Sequence, residues 1–275
     1  MARQNYFDIL NRMEFDPQRE LKNLMDLLEM ERNFERSYYK TSLNSAISDN
    51  FLDYPNRSTF TSYSQMVEFV ELNIYNATEQ LFVFSEFLVD IFCNLAEKFT
   101  EEESEFIQII FDNIKRFLEL SNHELITLDN GNKIIVEKNV YASEASQIVS
   151  ETSIEEAIKV LEYNHFSNKG NIQRKKEILI ALANYLEPFR RELNNSEELK
   201  DILKVNNQKV IAFEKLFEMY NNFGLRHNNS NQYHLDLTDN ELEQWYDDIY
   251  TSTLFVILSM DESRILSKLK TLREG

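Results

Sequence analysis

The sequence predicts a mainly α-helical fold, a two-part helical bundle with a small β-hairpin near residues 124–137. Three observations carry this reading. Apolar residues recur at spacings of three and four along most of the 275 residues, which is the period of a helix face. Only four Gly and three Pro punctuate the chain, too few for the many turns of an all-β protein. One Asn-Gly step, Asn130-Gly131, lies between two short runs rich in aliphatic and β-branched residues, the signature of a hairpin turn. Hydrophobic residues make up 43% of the chain, enough to bury a substantial core.

The elements follow in order. Asp16 caps a helix over Pro17–Glu31, with proline at its first position. A second helical stretch covers about residues 37–52, and the turn Asp53–Ser58 leads to Thr61 or Ser62 as the next cap. Ala77, Leu81, Phe84, Leu88, Ile91 and Leu95 form an amphipathic stripe. Thr100 with Glu103 makes a capping box for a helix reaching about Leu120. The ribbon Leu125–Leu128 and Lys133–Val136 follows, and the polar stretch on to Thr152 reads as a connector. Ser153 and Glu156 then start a helix that ends near Asn164-His165. Leu179, Leu182, Leu186, Phe189 and Leu193 mark one long helix, and Val210, Phe213, Phe217 and Tyr220 the next, which Gly224 ends. Thr238 and Glu241 form another capping box. Leu242, Trp245, Ile249, Thr253, Val256 and Met260 give the buried stripe of the last long helix, and a short helix over about residues 262–272 closes the chain. The organisation expected is an N-terminal helical region, 1–122, a hairpin and connector, 123–152, and a C-terminal bundle, 153–275.

The formal net charge of −18 excludes a general nucleic-acid coat or a binder of anionic membranes, because the field of the whole molecule repels phosphate. It leaves room for a local cationic pocket. The single cysteine, Cys93, cannot form an intrachain disulfide; it sits in an apolar run and reads as a small core residue. The N-terminal residues lack the apolar stretch of a signal peptide, and the run Leu81–Phe92 is too short for a bilayer. A cytoplasmic, soluble protein with no membrane partner is expected.

The most informative segment is Asn221-Asn222-Phe223-Gly224-Leu225-Arg226-His227-Asn228-Asn229. Glycine lets the backbone take a left-handed turn after the preceding helix. A permanent cation then stands beside a residue that titrates near neutral pH. In an RNA-cleaving site, histidine would take the proton of a ribose 2′-hydroxyl, arginine would stabilise charge on the phosphate, and Asn228 would orient them. The competing reading of these residues is structural, with arginine and asparagines tying the loop down. Lys169, Arg174, Lys175, Lys176, Arg190 and Arg191 concentrate positive charge in an acidic chain. They read either as a phosphate-facing strip or as a solvated helix face. Glu243 and Asp247 share a helix face, and Asp247 or Asp248 is a further candidate to orient Arg226 or His227. No phosphate-binding Gly-rich loop, zinc-type Cys/His spacing or Gly-x-Ser-x-Gly is present, so neither metal nor cofactor is expected.

The C-terminal half, about residues 153–272, resembles the HEPN superfamily of helical domains found in prokaryotic toxins and abortive-infection proteins. Its members carry Arg-x(4–6)-His beside a bundle helix, usually with a polar residue after the arginine. Arg226 matches the arginine and His227 the polar residue. His234 would be the terminal histidine, with seven residues between it and Arg226. The resemblance implies a metal-independent endoribonuclease or RNA-binding effector in anti-phage defence, with Arg226, His227, His234 and Asn228 as the catalytic set. Lys169, Arg174, Lys175, Arg190 and Arg191 would contact RNA. It further implies a homodimer and a regulatory or antitoxin protein as partner. The rival expectation, from a different class, is a non-catalytic helical protein-interaction module with a structural Arg-His-Asn-Asn loop.

Overall fold

A computed structural model of the chain describes residues 14–32, 41–74, 76–128, 130–226 and 233–274. The protein is mainly helical, with short two-stranded ribbons. Its chain divides into two compact units between Ile135 and Val136. Among the described residues no helix is long and apolar enough to cross a membrane.

The first unit contains α1 (Pro17–Glu29), α2 (Leu43–Asn50), α3 (Tyr63–Asn73), α4 (Ala77–Asn94), α5 (Glu101–Leu120) and β1 (His123–Thr127). Predicted caps are in place: Asp16 accepts from the Gln18 and Arg19 amides, Ser62 caps α3, and Thr100 and Glu103 form the reciprocal box at α5. α4 is buried on most sides, with Leu81, Leu88, Val89 and Ile91 fully enclosed. Its neighbours include α1, α3 and α5. Cys93, expected in this core, is instead exposed, because it lies in the last turn of α4, on the side away from Phe92 and Leu95. Arg116 forms a 2.7 Å ion pair with the buried Glu20. β1 pairs with β2 (Lys133–Glu137), and Gly131 takes φ +86 in the turn between them.

The second unit begins in β2 and contains α6 (Val140–Ser150), α7 (Ile154–Glu162), α8 (Ile172–Leu186), α9 (Arg190–Asn195), α10 (Glu197–Ile202), the ribbon β3–β4 (Val205–Asn206 and Lys209–Val210), α11 (Ile211–Asn222) and α12 (Asp239–Glu274). The predicted connector is in part a helix: Asn139 caps α6, whose Ala142, Ala145 and Val149 are buried at helical spacing. The single helix expected over residues 179–193 is broken by a 3-10 turn, Glu187–Phe189, where Pro188 has no amide hydrogen to give the ladder. Conversely, the two helices expected after Thr238 are one helix of 36 residues, about 54 Å long. No Gly or Pro interrupts it, and Asp261-Glu262-Ser263 is polar without being a breaker. Its buried stripe runs through Tyr246, Ile249, Tyr250, Thr253, Leu254, Val256, Ile257 and Met260. Trp245, predicted inside, is 41% exposed, and Tyr246 is buried instead. The unpredicted ribbon β3–β4 turns at Asn207 and Gln208, both at positive φ.

Gly224 takes φ +67, as its position after a helix predicts. Leu225 N–H donates 3.0 Å to the Tyr220 carbonyl, and Leu225 is itself buried. This bond and contact define a Schellman ending for α11. Replacing Gly224 by alanine puts a Cβ into the left-handed region and is expected to cost about 1–2 kcal/mol, read as a lowered urea midpoint.

Candidate functional site

The Schellman turn sends the chain from α11 directly into Arg226, whose side chain is only 12% exposed. Its Nη1 lies 2.7 Å from Oε2 of Glu187, the residue that opens the proline-containing 3-10 turn. The contact is electrostatic and off the hydrogen-bond axis; among the described residues no donor is aligned on Glu187 Oε2. Arg226 therefore meets Glu187, not Asp247 or Asp248, because the break at Pro188 ends α8 where α11 also ends. His227 and Asn228 lie outside the described residues. His234 falls in the 3-10 turn Tyr233–Asp236. Tyr220, whose carbonyl accepts the Leu225 amide, is fully buried and shares a 2.6 Å hydrogen bond with Thr253. Burial pushes the Tyr220 hydroxyl well above the usual phenol range, while Thr253 and the Arg226 charge pull the other way.

Three of the five predicted RNA-binding cations are engaged by carboxylates of their own unit. Lys175, with a side chain only 7% exposed, donates 2.7 Å to Glu243 Oε1 and 2.7 Å to Asp247 Oδ1. The carboxylates that share a face of α12 thus enclose an ammonium group supplied by α8. Glu243 Oε1 also accepts the Gly170 amide at 2.7 Å, and Asp247 Oδ1 accepts the Tyr163 hydroxyl at 2.8 Å. Tyr163 stacks on Tyr250 with ring centroids 3.9 Å apart, and Lys175 Nζ lies 5.4 Å from the Tyr163 ring centre. Burial, then the Asp247 charge and hydrogen bond, drive the Tyr163 hydroxyl far above its ordinary pKa, so it stays a donor. Burial opposes ionisation of Glu243, yet Lys175, the Gly170 amide and Lys169 outweigh it and hold that carboxyl below the usual range.

Arg174 is clamped between Glu162 and Glu177, with Lys159 on the other side of Glu162 at 2.7 Å. Burial raises the Glu162 pKa, but the two cations reverse this and leave it lowered. Arg190 holds Glu214 with two bonds, Nε to Oε1 at 3.2 Å and Nη2 to Oε2 at 2.8 Å, and lies over the Phe217 ring. Asn194 and Lys209 complete that cluster, and the Arg190 hydrogen bond is the main reason the Glu214 carboxyl is lowered. Lys169 and Arg191 are exposed. Arg174, Lys175 and Arg190 of the positively charged stretch are thus drawn to carboxylates from α7, α8, α11 and α12. Those partners were missed because each of their pairings, apart from Arg174–Glu177, spans a dozen or more residues. The one local clue was Glu187-Pro188, a helix stop with a carboxylate at its edge.

Phe223 packs against both Tyr233 and Trp245, with ring centroids 6.0 Å and 5.0 Å away. Tyr233 and Trp245 remain open to solvent. Among the described residues no group of three His, Cys, Asp or Glu side chains is placed to hold a metal ion. No family model, curated protein or solved structure matches the chain.

Glu162, Glu214 and Glu243 share one pH signature. Their carboxyls are lowered from the ordinary 4.5 in the folded state, so their stabilisation is complete above that value and is lost as the pH falls through the lowered ones. Urea midpoints followed from about pH 7 to about pH 3 are expected to fall below pH 4.5. Lys175→Met is expected to cost about 1–3 kcal/mol at neutral pH and to reduce the part of the acid slope that Glu243 supplies.

Proposed function

We propose that the second unit is a non-catalytic helical interaction module in which the Arg226 loop is structural. One observation carries the proposal: Arg226 is 12% exposed and ion-paired to Glu187, so its charge is already compensated inside the fold. A phosphate would have to displace that carboxylate and reach a largely buried guanidinium. The same holds for Lys175, Arg174 and Arg190, each satisfied by acids of its own unit. Apolar side chains open to solvent, among them Tyr141, Ile154, Trp245 and Leu272, suit contact with protein rather than with nucleic acid.

The competing reading is a metal-independent ribonuclease or RNA-binding effector in phage defence, with His227, His234 and Asn228 acting beside Arg226. One experiment separates the two. Purified wild type, Arg226→Ala and His227→Ala are incubated with labelled RNA, and their urea midpoints are measured in parallel. The interaction module predicts no RNA cleavage by any of the three. It also predicts a stability loss of about 1 kcal/mol for Arg226→Ala, kept small because Glu187 is 39% exposed. Cleavage by wild type that both folded variants lose would replace this proposal with the ribonuclease.

A further inference from the structure

The last helix outruns the core it is anchored in. None of residues 261–273 of α12 is buried, yet the helix continues to Glu274. Its base is tied on two sides, by Ser263 Oγ 2.8 Å from Ser196 Oγ and by Arg264 Nη1 2.8 Å from Glu151. The outer half is therefore a preformed helix, and a partner would meet it without the cost of nucleating one.

That half carries a continuous seam. Phe255, Leu258, Glu262, Ile265, Leu269 and Leu272 follow one another at spacings of 3, 4, 3, 4 and 3, the a/d pattern of a two-stranded coiled coil. Leu258 is half-buried; Phe255, Ile265, Leu269 and Leu272 are 42–81% exposed. The charges beside the seam are segregated. Residues 263–273 contain Arg264, Lys268, Lys270 and Arg273 and no acid, in a chain whose net charge is −18. Asp261 and Glu262 precede them, and an open groove of about 550 Å³ between α6 and this part of α12 adds Glu144, and Glu151 with its ion pair to Arg264, beside Tyr141 and Ile148. A basic apolar segment and an acidic apolar groove thus lie next to each other on one molecule, offset along one helix.

We infer that this face is the interface of a symmetric homodimer, in which α12 of two copies pack antiparallel along the seam. Antiparallel packing sets Phe255 against Leu272 of the second copy, Leu258 against Leu269, and Glu262 against Ile265, with the reverse contacts by symmetry. In that register Asp261 of each copy flanks Lys268 of the other, and each basic end lies along the acidic groove. The parallel alternative opposes Glu262 to Glu262 within the seam and sets Lys268 beside Arg273, both like-charge contacts. Charge therefore selects the antiparallel pair. The inference goes beyond the structural reading of the Arg226 loop and does not depend on it, since α12 beyond Phe255 shares no residue with that loop.

The test is sedimentation equilibrium on the full chain over roughly 1–200 µM, where a seam this short with a Kd near micromolar changes state. Wild type is expected to show a monomer–dimer equilibrium, and Leu269→Glu to weaken it at least tenfold. Lys268→Asp alone is expected to weaken it severalfold, and Asp261→Lys with Lys268→Asp together to restore it. All these positions lie outside the buried core, and an unchanged circular-dichroism spectrum checks that each variant is folded. Tightening by Lys268→Asp alone would indicate the parallel register and overturn the proposal. So would a wild type that stays monomeric over the whole range, whether or not it co-sediments with anionic vesicles.

Discussion

The second unit is organised around one buried ammonium group. Lys175 comes from α8, Glu243 and Asp247 from α12, Tyr163 from the end of α7, and the Gly170 amide from the turn between α7 and α8. A lysine head group out of water must find acceptors within the fold or lose its charge. Here two carboxylates, each shared with a second donor, surround it, and an aromatic face lies close by. Three helices and a turn are thereby held in one register. Tyr250, stacked on Tyr163 and bonded to the Val160 carbonyl at 2.6 Å, extends the same arrangement into the apolar core.

The same rule recurs at smaller scale. Arg190 closes on Glu214, Arg174 on Glu162, and Arg226 on Glu187, each joining elements that are separate in sequence. An acidic chain has carboxylates in excess, so every cation that packs near its core is readily matched. Acids left over remain at the surface, where they give the chain its strongly negative charge. The outer part of α12 differs: of Arg264, Lys268, Lys270 and Arg273 only Arg264 is closed by an ion pair among the described residues, to Glu151, and the core no longer reaches this stretch. Its apolar seam is consequently a surface feature with a charge pattern of its own, which a second copy covers in the proposed dimer.

Much of the local structure was legible from short-range chemistry. Asp16, Ser62, the Thr100–Glu103 and Thr238–Glu241 boxes, the Asn130-Gly131 turn and Gly224 all act where the sequence places them, because caps and turns depend on residues two to four apart. The errors were of a different kind. α6 was passed over because its alanines and serines give a weak apolar signal, although Ala142, Ala145 and Val149 do face the core. Trp245 and Tyr246 exchanged roles because adjacent aromatics fit two stripes equally well until a neighbouring helix selects one. The join within α12 was misread because polarity at Asp261–Ser263 resembles a boundary, whereas only a backbone breaker makes one.

By itself, the sequence determined the helical class, the hairpin, the left-handed ending of α11 and the caps at Asp16, Ser62, Thr100 and Thr238, since each depends on backbone preferences and near neighbours. It did not determine a cap at Ser153, whose hydroxyl turns to Glu156 and caps no amide. It also contained the 3-4 spacing at the end of α12, though not whether that stripe faced core or solvent. Only the tertiary structure decided what the charges do. Whether Arg226, Lys175 or Arg190 faces solvent or a carboxylate depends on residues that lie from 24 to 72 positions away. Electrostatic pairing over such separations follows from how helices pack, and no local pattern encodes it.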